Sequence, residues 1–203
     1  VTLYGADLTA VDFKLPSLKR ARLSNATLAG ADLTEKDLTE AELGEANLTG
    51  ATLTRANLTG AFLKAAILDG TSLDGASLSG AKLNGAKLRG TDLTGADLTT
   101  ANLGQLQVNS TSGPIKTDLT GANLTRADFT GACLQHSNLS EANLTEAKLL
   151  RADLSHVKFL NARLWRTDTR DPIFSPDHHP IYDSSRSIIS NCRLRERYLN
   201  WSN

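Results

Sequence analysis

Carboxylates are the commonest groups in this chain that could move protons. Asp32, Asp37, Asp92, Asp97 and Asp118 each stand one residue before a leucine. Two such carboxylates could work as general acid and base if burial split their pKa values. Their spacing follows a repeating pattern instead, and nothing in the sequence buries them, so a solvated ladder is the expectation. His178 and His179 beside Asp177 are metal-ligand types, but adjacent histidines in a proline-rich stretch lack the spaced donors of a zinc site. There is no Cys-x-x-Cys, no glycine-rich phosphate loop and no nucleophile elbow. The sequence therefore predicts no catalytic, cofactor-binding or metal site, and no enzyme.

What positions these side chains is a period of five. Leu3, Leu8, Phe13, Leu18 and Leu23 begin a series that continues to Leu103 and Val108. It slips by one residue, resumes at Leu119, Leu124 and Phe129, and runs to Leu164. On an α-helix a step of five advances about 140°, scattering the leucines round every side. On a flat strand it throws alternate leucines to opposite faces. One core results only if the chain turns a corner after each repeat, as in a solenoid whose coils bury their apolar residues against one another.

The rest of the repeat fits that path. Two residues before the leucine stands alanine, as at Ala21, Ala26, Ala46 and Ala96, where a narrow interior leaves room for a methyl. Two residues after it glycine is frequent, as at Gly50, Gly70 and Gly90, where a bend favours positive φ. Lys36 and Pro16 interrupt the alanine position. A lysine there must snorkel to solvent near Glu35 and Glu40, and a proline removes a backbone donor. Thr71, Thr91, Thr117 and Ser137 are milder changes whose hydroxyls can bond nearby backbone.

Runs such as Ala46-Asn47-Leu48-Thr49-Gly50 and Ala122-Asn123-Leu124-Thr125-Arg126 resemble the A(D/N)Lxx consensus of pentapeptide repeat proteins. The resemblance covers residues 1–164 and implies an all-β solenoid, a right-handed quadrilateral β-helix with four repeats per coil. About eight coils would make a rod roughly 38 Å long. The alanine and leucine interior is similar to the bacterial and cyanobacterial branch, also found in chloroplasts. That likeness points to an extracytoplasmic home, periplasm or thylakoid lumen, rather than cytoplasm. It implies a non-enzymatic structural or protein-interaction rod with an unidentified protein partner. The rival reading is a DNA-mimic inhibitor of DNA gyrase, of the quinolone-resistance kind.

The chain has 203 residues, 22 acidic and 22 basic, and no methionine. The even balance removes any general electrostatic case for nucleic acid or an anionic membrane, and no stretch is apolar enough to span a bilayer. Sorted four repeats to a coil, the face of Phe13, Leu33 and Leu53 is acidic, while that of Leu23, Leu43 and Leu63 is mixed, with Arg22, Lys64 and Lys82. The Asn-Leu-Thr triplets at Asn47, Asn57 and Asn123 match the glycosylation sequon only because the repeat generates it.

Residues 109–117 break the period. Val108 and Leu119 read as consecutive centres with one imperfect repeat between them. Ser112, Gly113, Pro114, Ile115 and Lys116 would form a surface loop: an interaction loop, or more simply a tolerated insertion. From Trp165 the repeat dissolves, and 165–203 reads as a C-terminal cap with a helix from Ser184 to about Leu199. Cys133 should point outward and Cys192 lies in that tail, so the two could pair in an oxidising compartment or stay as thiols. The first centre, Leu3, has no cap before it, so a homodimer through that open N-terminal coil is expected.

Overall fold

A computed structural model describes residues 2–9, 11–14, 17–108 and 113–173. Parallel β-bridges join residues twenty apart, for example Arg22 to Glu42, Glu42 to Phe62 and Phe62 to Lys82. A twenty-residue coil contains four five-residue repeats, so the chain winds as a four-walled β-helix. Wall 1 carries Leu23, Leu43, Leu63, Leu83 and Leu103. Wall 2 carries Leu28 to Leu88, wall 3 Leu33 to Leu93, and wall 4 Leu38 to Leu98, each in steps of twenty. Thr2, Arg22, Glu42, Phe62, Lys82, Asn102, Cys133, Asp153 and Ile173 mark successive rungs of wall 1 and span eight coils.

The repeat chemistry explains each corner. Ala26 N–H donates to Leu23 O at 3.0 Å, closing a four-residue turn, and Asn25 between them has φ of 60°. Positive φ at the third turn residue alone defines a type II turn, which favours glycine there. The next residues extend and pair with the coils on either side: Leu28 N–H donates to Asn47 O at 2.7 Å, and Thr27 N–H to Ala6 O at 2.9 Å. Leucine points to the axis between these bonds, and Leu23 through Leu63 are fully buried. Each contributes about 1.5–3 kcal/mol of apolar burial.

The glycine expectation covers only part of the corners. Seventeen described non-glycine residues hold positive φ, among them Arg55, Ala65, Thr100 and His136. Such a residue costs roughly 1–2 kcal/mol over a right-handed conformation. Coils stacked above and below impose the turn regardless, because the ladder and the buried leucine fix both of its ends.

Departures in the alanine position are met by local bonds. Thr71, Thr91 and Thr167 donate their hydroxyls to the carbonyls of Leu48, Leu68 and Leu144, each at 2.8 Å. Ser137 Oγ is buried without a partner. Lys36 is half-buried and lines a groove of about 140 Å³ with Asp12, Phe13 and Asp32.

Two boundaries differ from those read in the sequence. Asp168 bridges Lys148 and Ile173 bridges Asp153, so the ladder continues beyond 164. Thr169 fills a core position and Thr167 an alanine position, polar residues that hide the period from a search for leucines. Trp165 thus belongs to wall 3, its ring covered by the Arg166 guanidinium at 4.1 Å, and does not start a tail. The expected cap helix, the His178–His179 pair and Cys192 lie outside the described residues, and Cys133 is a half-buried free thiol.

The second correction concerns Val108, which is 37% exposed and is no core centre. Wall 2 passes from Lys87 to Asp118, and wall 1 from Asn102 to Cys133, with a step of thirty-one in place of twenty. Leu103 and Leu119 are therefore neighbouring centres, and eleven residues leave the coil between them.

Candidate functional site

The (Asp/Asn)-Leu-(Thr/Ser) triplets account for the walls. Thr39 donates both its N–H, at 3.0 Å, and its hydroxyl, at 2.6 Å, to Asp37 Oδ1. Asn47 accepts the same pair of bonds from Thr49. The triplet that imitates a glycosylation sequon is a strand-straddling clasp, and the carboxylates are engaged in it. The Thr39 hydroxyl and N–H hold the Asp37 carboxyl below its usual range, and the Thr34 hydroxyl and N–H do the same for Asp32. Asp118 is also lowered: burial opposes the shift, but the Thr120 hydroxyl and the Arg89 guanidinium prevail. Carboxylates held ionised this way are poor general acids at neutral pH.

Corners carry a second ladder. Arg20 meets Glu40 at 2.6 Å, Arg55 meets Glu35 at 2.9 Å, and Glu146 sits between Arg126 at 2.8 Å and Arg166 at 3.7 Å. These pairs sit twenty residues apart, one coil above another. Exposed as they are, solvent screens them and they add little to stability. Among the described residues no group of three or more His, Cys, Asp or Glu side chains could hold a metal ion. No described helix is long and apolar enough to cross a membrane.

One corner is unlike the rest. Between walls 1 and 2 the chain leaves the coil at Gln105 and returns at Lys116. Leu106 and Ile115 pair antiparallel, with Leu106 N–H to Ile115 O at 2.7 Å and the reciprocal bond at 2.9 Å. The insertion is therefore a hairpin that starts earlier than the expected loop of 109–117. Thr117 closes it from inside the rod. Its buried hydroxyl accepts from Gly85 N–H at 2.9 Å and lies 3.0 Å from Gly104 O. Of the five expected loop residues, Gly113, Pro114, Ile115 and Lys116 are exposed on the returning arm. Ser112 lies outside the described residues.

The hairpin needs Gly85 beneath it. A Cβ on Gly85 would approach Leu106 Cβ to 2.9 Å, and the φ there is +70°. Above the hairpin, His136 and His156 stack at the same corner, ring centroids 4.5 Å apart and 6° from parallel. Burial pushes the His136 pKa down, and His156 and Lys116 add to the effect. The sequence reading passed over this pair, although both histidines stand two residues after a centre and one four-repeat coil apart.

Beside the hairpin, wall 1 forms a groove of about 550 Å³ lined by Lys64, Lys82, Asn84, Asn102, Gln105 and Gln107 among others. Lys82 Nζ lies 4.5 Å from the centre of the Phe62 ring, which is 39% exposed. Cationic and carboxamide groups converge there with an aromatic face and with no carboxylate in the lining.

The family model for pentapeptide repeats matches residues 17–105 and 115–168 in overlapping blocks. The chain belongs to the pentapeptide repeat family. The gap between the matched blocks, 106–114, falls on the hairpin. Among solved structures, the chain is similar to HetL, a pentapeptide repeat protein involved in heterocyst differentiation regulation in the cyanobacterium Nostoc sp. strain PCC 7120. Identity is 30%, over 95% of this chain and 84% of that one, with a TM-score of 0.54. A trypsin-treated variant of QnrB1, a plasmid-mediated fluoroquinolone resistance protein, matches at 16% identity over 93% and 98%, with a TM-score of 0.41. A pentapeptide repeat protein of the Arabidopsis thaliana thylakoid lumen matches at 29% identity over 64% and 69%, with a TM-score of 0.25. No curated protein matches the sequence. Like its relatives, this pentapeptide repeat protein is a right-handed quadrilateral β-helix.

Proposed function

We propose that this chain is a non-enzymatic rod that binds a protein partner through the two hairpin arms, residues 105–108 and 113–116, and the part of wall 1 beside them. The observation that carries the reading is the hairpin itself. Leu106 and Ile115 pair outside the coil while the ladders on either side keep their register. A rigid scaffold that presents one projecting element is how binding surfaces are commonly built. The engagement of the wall carboxylates in clasps supports the non-enzymatic part.

An end-to-end homodimer through the first described coil is the second reading, with half-buried Leu3 in its interface. A single monomeric species in dilute solution would remove the dimer. The gyrase reading calls for a strongly acidic rod, whereas this chain has no net charge and its corner glutamates Glu35, Glu40 and Glu146 pair with arginines.

Excision of residues 106–116 tests the main reading. Immobilised intact rod should retain a cross-linkable partner from native extract that the excised rod loses. Equal retention by both would reduce the hairpin to an insertion without a role.

A further inference from the structure

Resting on the protein-binding reading above, the geometry of the hairpin defines what kind of partner segment fits. Because Leu106 exchanges both backbone bonds with Ile115, alternation along an antiparallel pair turns the N–H and C=O groups of Gln105 and Gln107 to the other side. Neither residue makes a backbone hydrogen bond among the described residues, and both line the wall 1 groove. This is an open strand edge with a trough beside it.

The side chains around that edge offer donors. Lys64 and Lys82 have no carboxylate partner among the described residues, although Arg22 on the same wall is paired with Glu42. Asn102 Oδ1 accepts from Asn84 Nδ2 at 2.7 Å and from Gly104 N–H at 3.1 Å, which leaves the Asn102 amide hydrogens to donate. The exposed Phe62 ring adds an apolar patch at the same place. The surface is complementary to negative charge on an extended chain.

We propose that the Gln105–Gln107 edge takes an extended acidic segment of a protein partner as an added strand, its carboxylates meeting Lys64 and Lys82. Main-chain bonds to the edge supply affinity, and the lysines select the charge. Two lysines on a chain of zero net charge are too few to hold a nucleic-acid backbone, which takes several cationic contacts.

The probe is a fluorescent heptapeptide of alternating glutamate and valine, followed by anisotropy against the full chain at low salt. Three comparisons accompany it: a lysine–valine peptide, a glutamate–valine peptide N-methylated at alternate amides, and an unlabelled DNA duplex as competitor. The glutamate peptide should bind and the lysine peptide should not. The Lys64→Glu, Lys82→Glu double variant should weaken binding about tenfold or more. Gln107→Pro, which removes an outward donor and leaves the Leu106–Ile115 pair intact, should weaken it similarly, as should N-methylation. Both lysines are exposed, so circular dichroism should show an unchanged β-helix. No binding at about millimolar peptide, equal binding of the N-methylated peptide, unchanged affinity in the variants, or displacement by DNA would each overturn the proposal. A rod that fails with the peptide yet still loses its partner on excision of 106–116 would sink this inference and leave the protein-binding one standing.

Discussion

Single residues in this rod are governed by how little freedom a coil leaves them. Thr100 is β-branched and held at φ of 55° by the coils around it. Thr100→Gly should therefore stabilise the fold by about 1 kcal/mol, read from urea denaturation, because the strain exceeds glycine's entropic cost. Ser137 is the opposite case, buried with an unpartnered hydroxyl in a slot that other coils fill with alanine. Ser137→Ala should raise stability by about 1 kcal/mol in the same assay, since it removes a desolvated polar group and leaves no cavity. His136 offers a readout of the hairpin's docking. Its imidazole should titrate below the ordinary histidine value by NMR, and Lys116→Gln should move it upward by removing a nearby cation. A His136 titration that ignores Lys116 would mean that the returning arm does not pack at that corner.

At the scale of a repeat, the clasp made by Asp or Asn with the following threonine or serine is the recurring unit, and it carries a pH dependence. Asp7, Asp32 and Asp37 have carboxyls held below their ordinary value, chiefly by bonds from the threonine two residues on. Glu40 is lowered by Arg20 and Glu146 by Arg126. A folded pKa below the unfolded one gives stability that is complete above the ordinary carboxylate range and lost as pH falls through the folded values. The melting temperature should slip as pH falls from 7 through the ordinary histidine range, because the lowered pKa of His136 favours the unfolded chain there, and then fall further between about pH 5 and pH 3 as the carboxylates protonate. A flat profile across that interval would show that the clasps add nothing beyond the ladder. This unit was half legible in the sequence: the triplets were visible, but read as outward polar residues. The bond that joins the first and third side chains depends on a backbone geometry that the strand supplies.

For the whole molecule, the question is whether the hairpin holds the coils together or is carried by them. The eleven-residue shift in register implies that excision of 106–116 restores the five-residue spacing and places Leu103 beside Leu119 in the period. The excised rod should fold with the same circular dichroism and with stability equal to or above that of the parent, because a closed loop is shortened and no core leucine is lost. Gly85→Ala acts in the other direction. It should destabilise the intact rod by roughly 1–2 kcal/mol through a strained φ and a contact with Leu106. In the excised rod only the φ strain should persist.

The period of five, with alanine and glycine at fixed offsets, determined a solenoid with a leucine interior, because it leaves no other single core; four repeats to a coil were implied by the resemblance to pentapeptide repeat proteins. Sequence alone did not determine where the coil is interrupted, or that the ladder runs past 164 to Ile173. Val108 has the right chemistry and position for a centre, and Thr169 has the wrong chemistry, yet the ladder excludes the first and includes the second. Stacking decides such cases, since a residue is inside only when rungs twenty or thirty-one positions away close around it. The hairpin edge, the lysines beside it and the paired histidines above it belong together for the same reason. They are distant along the chain and adjacent only across coils, so tertiary structure alone brings them to one corner.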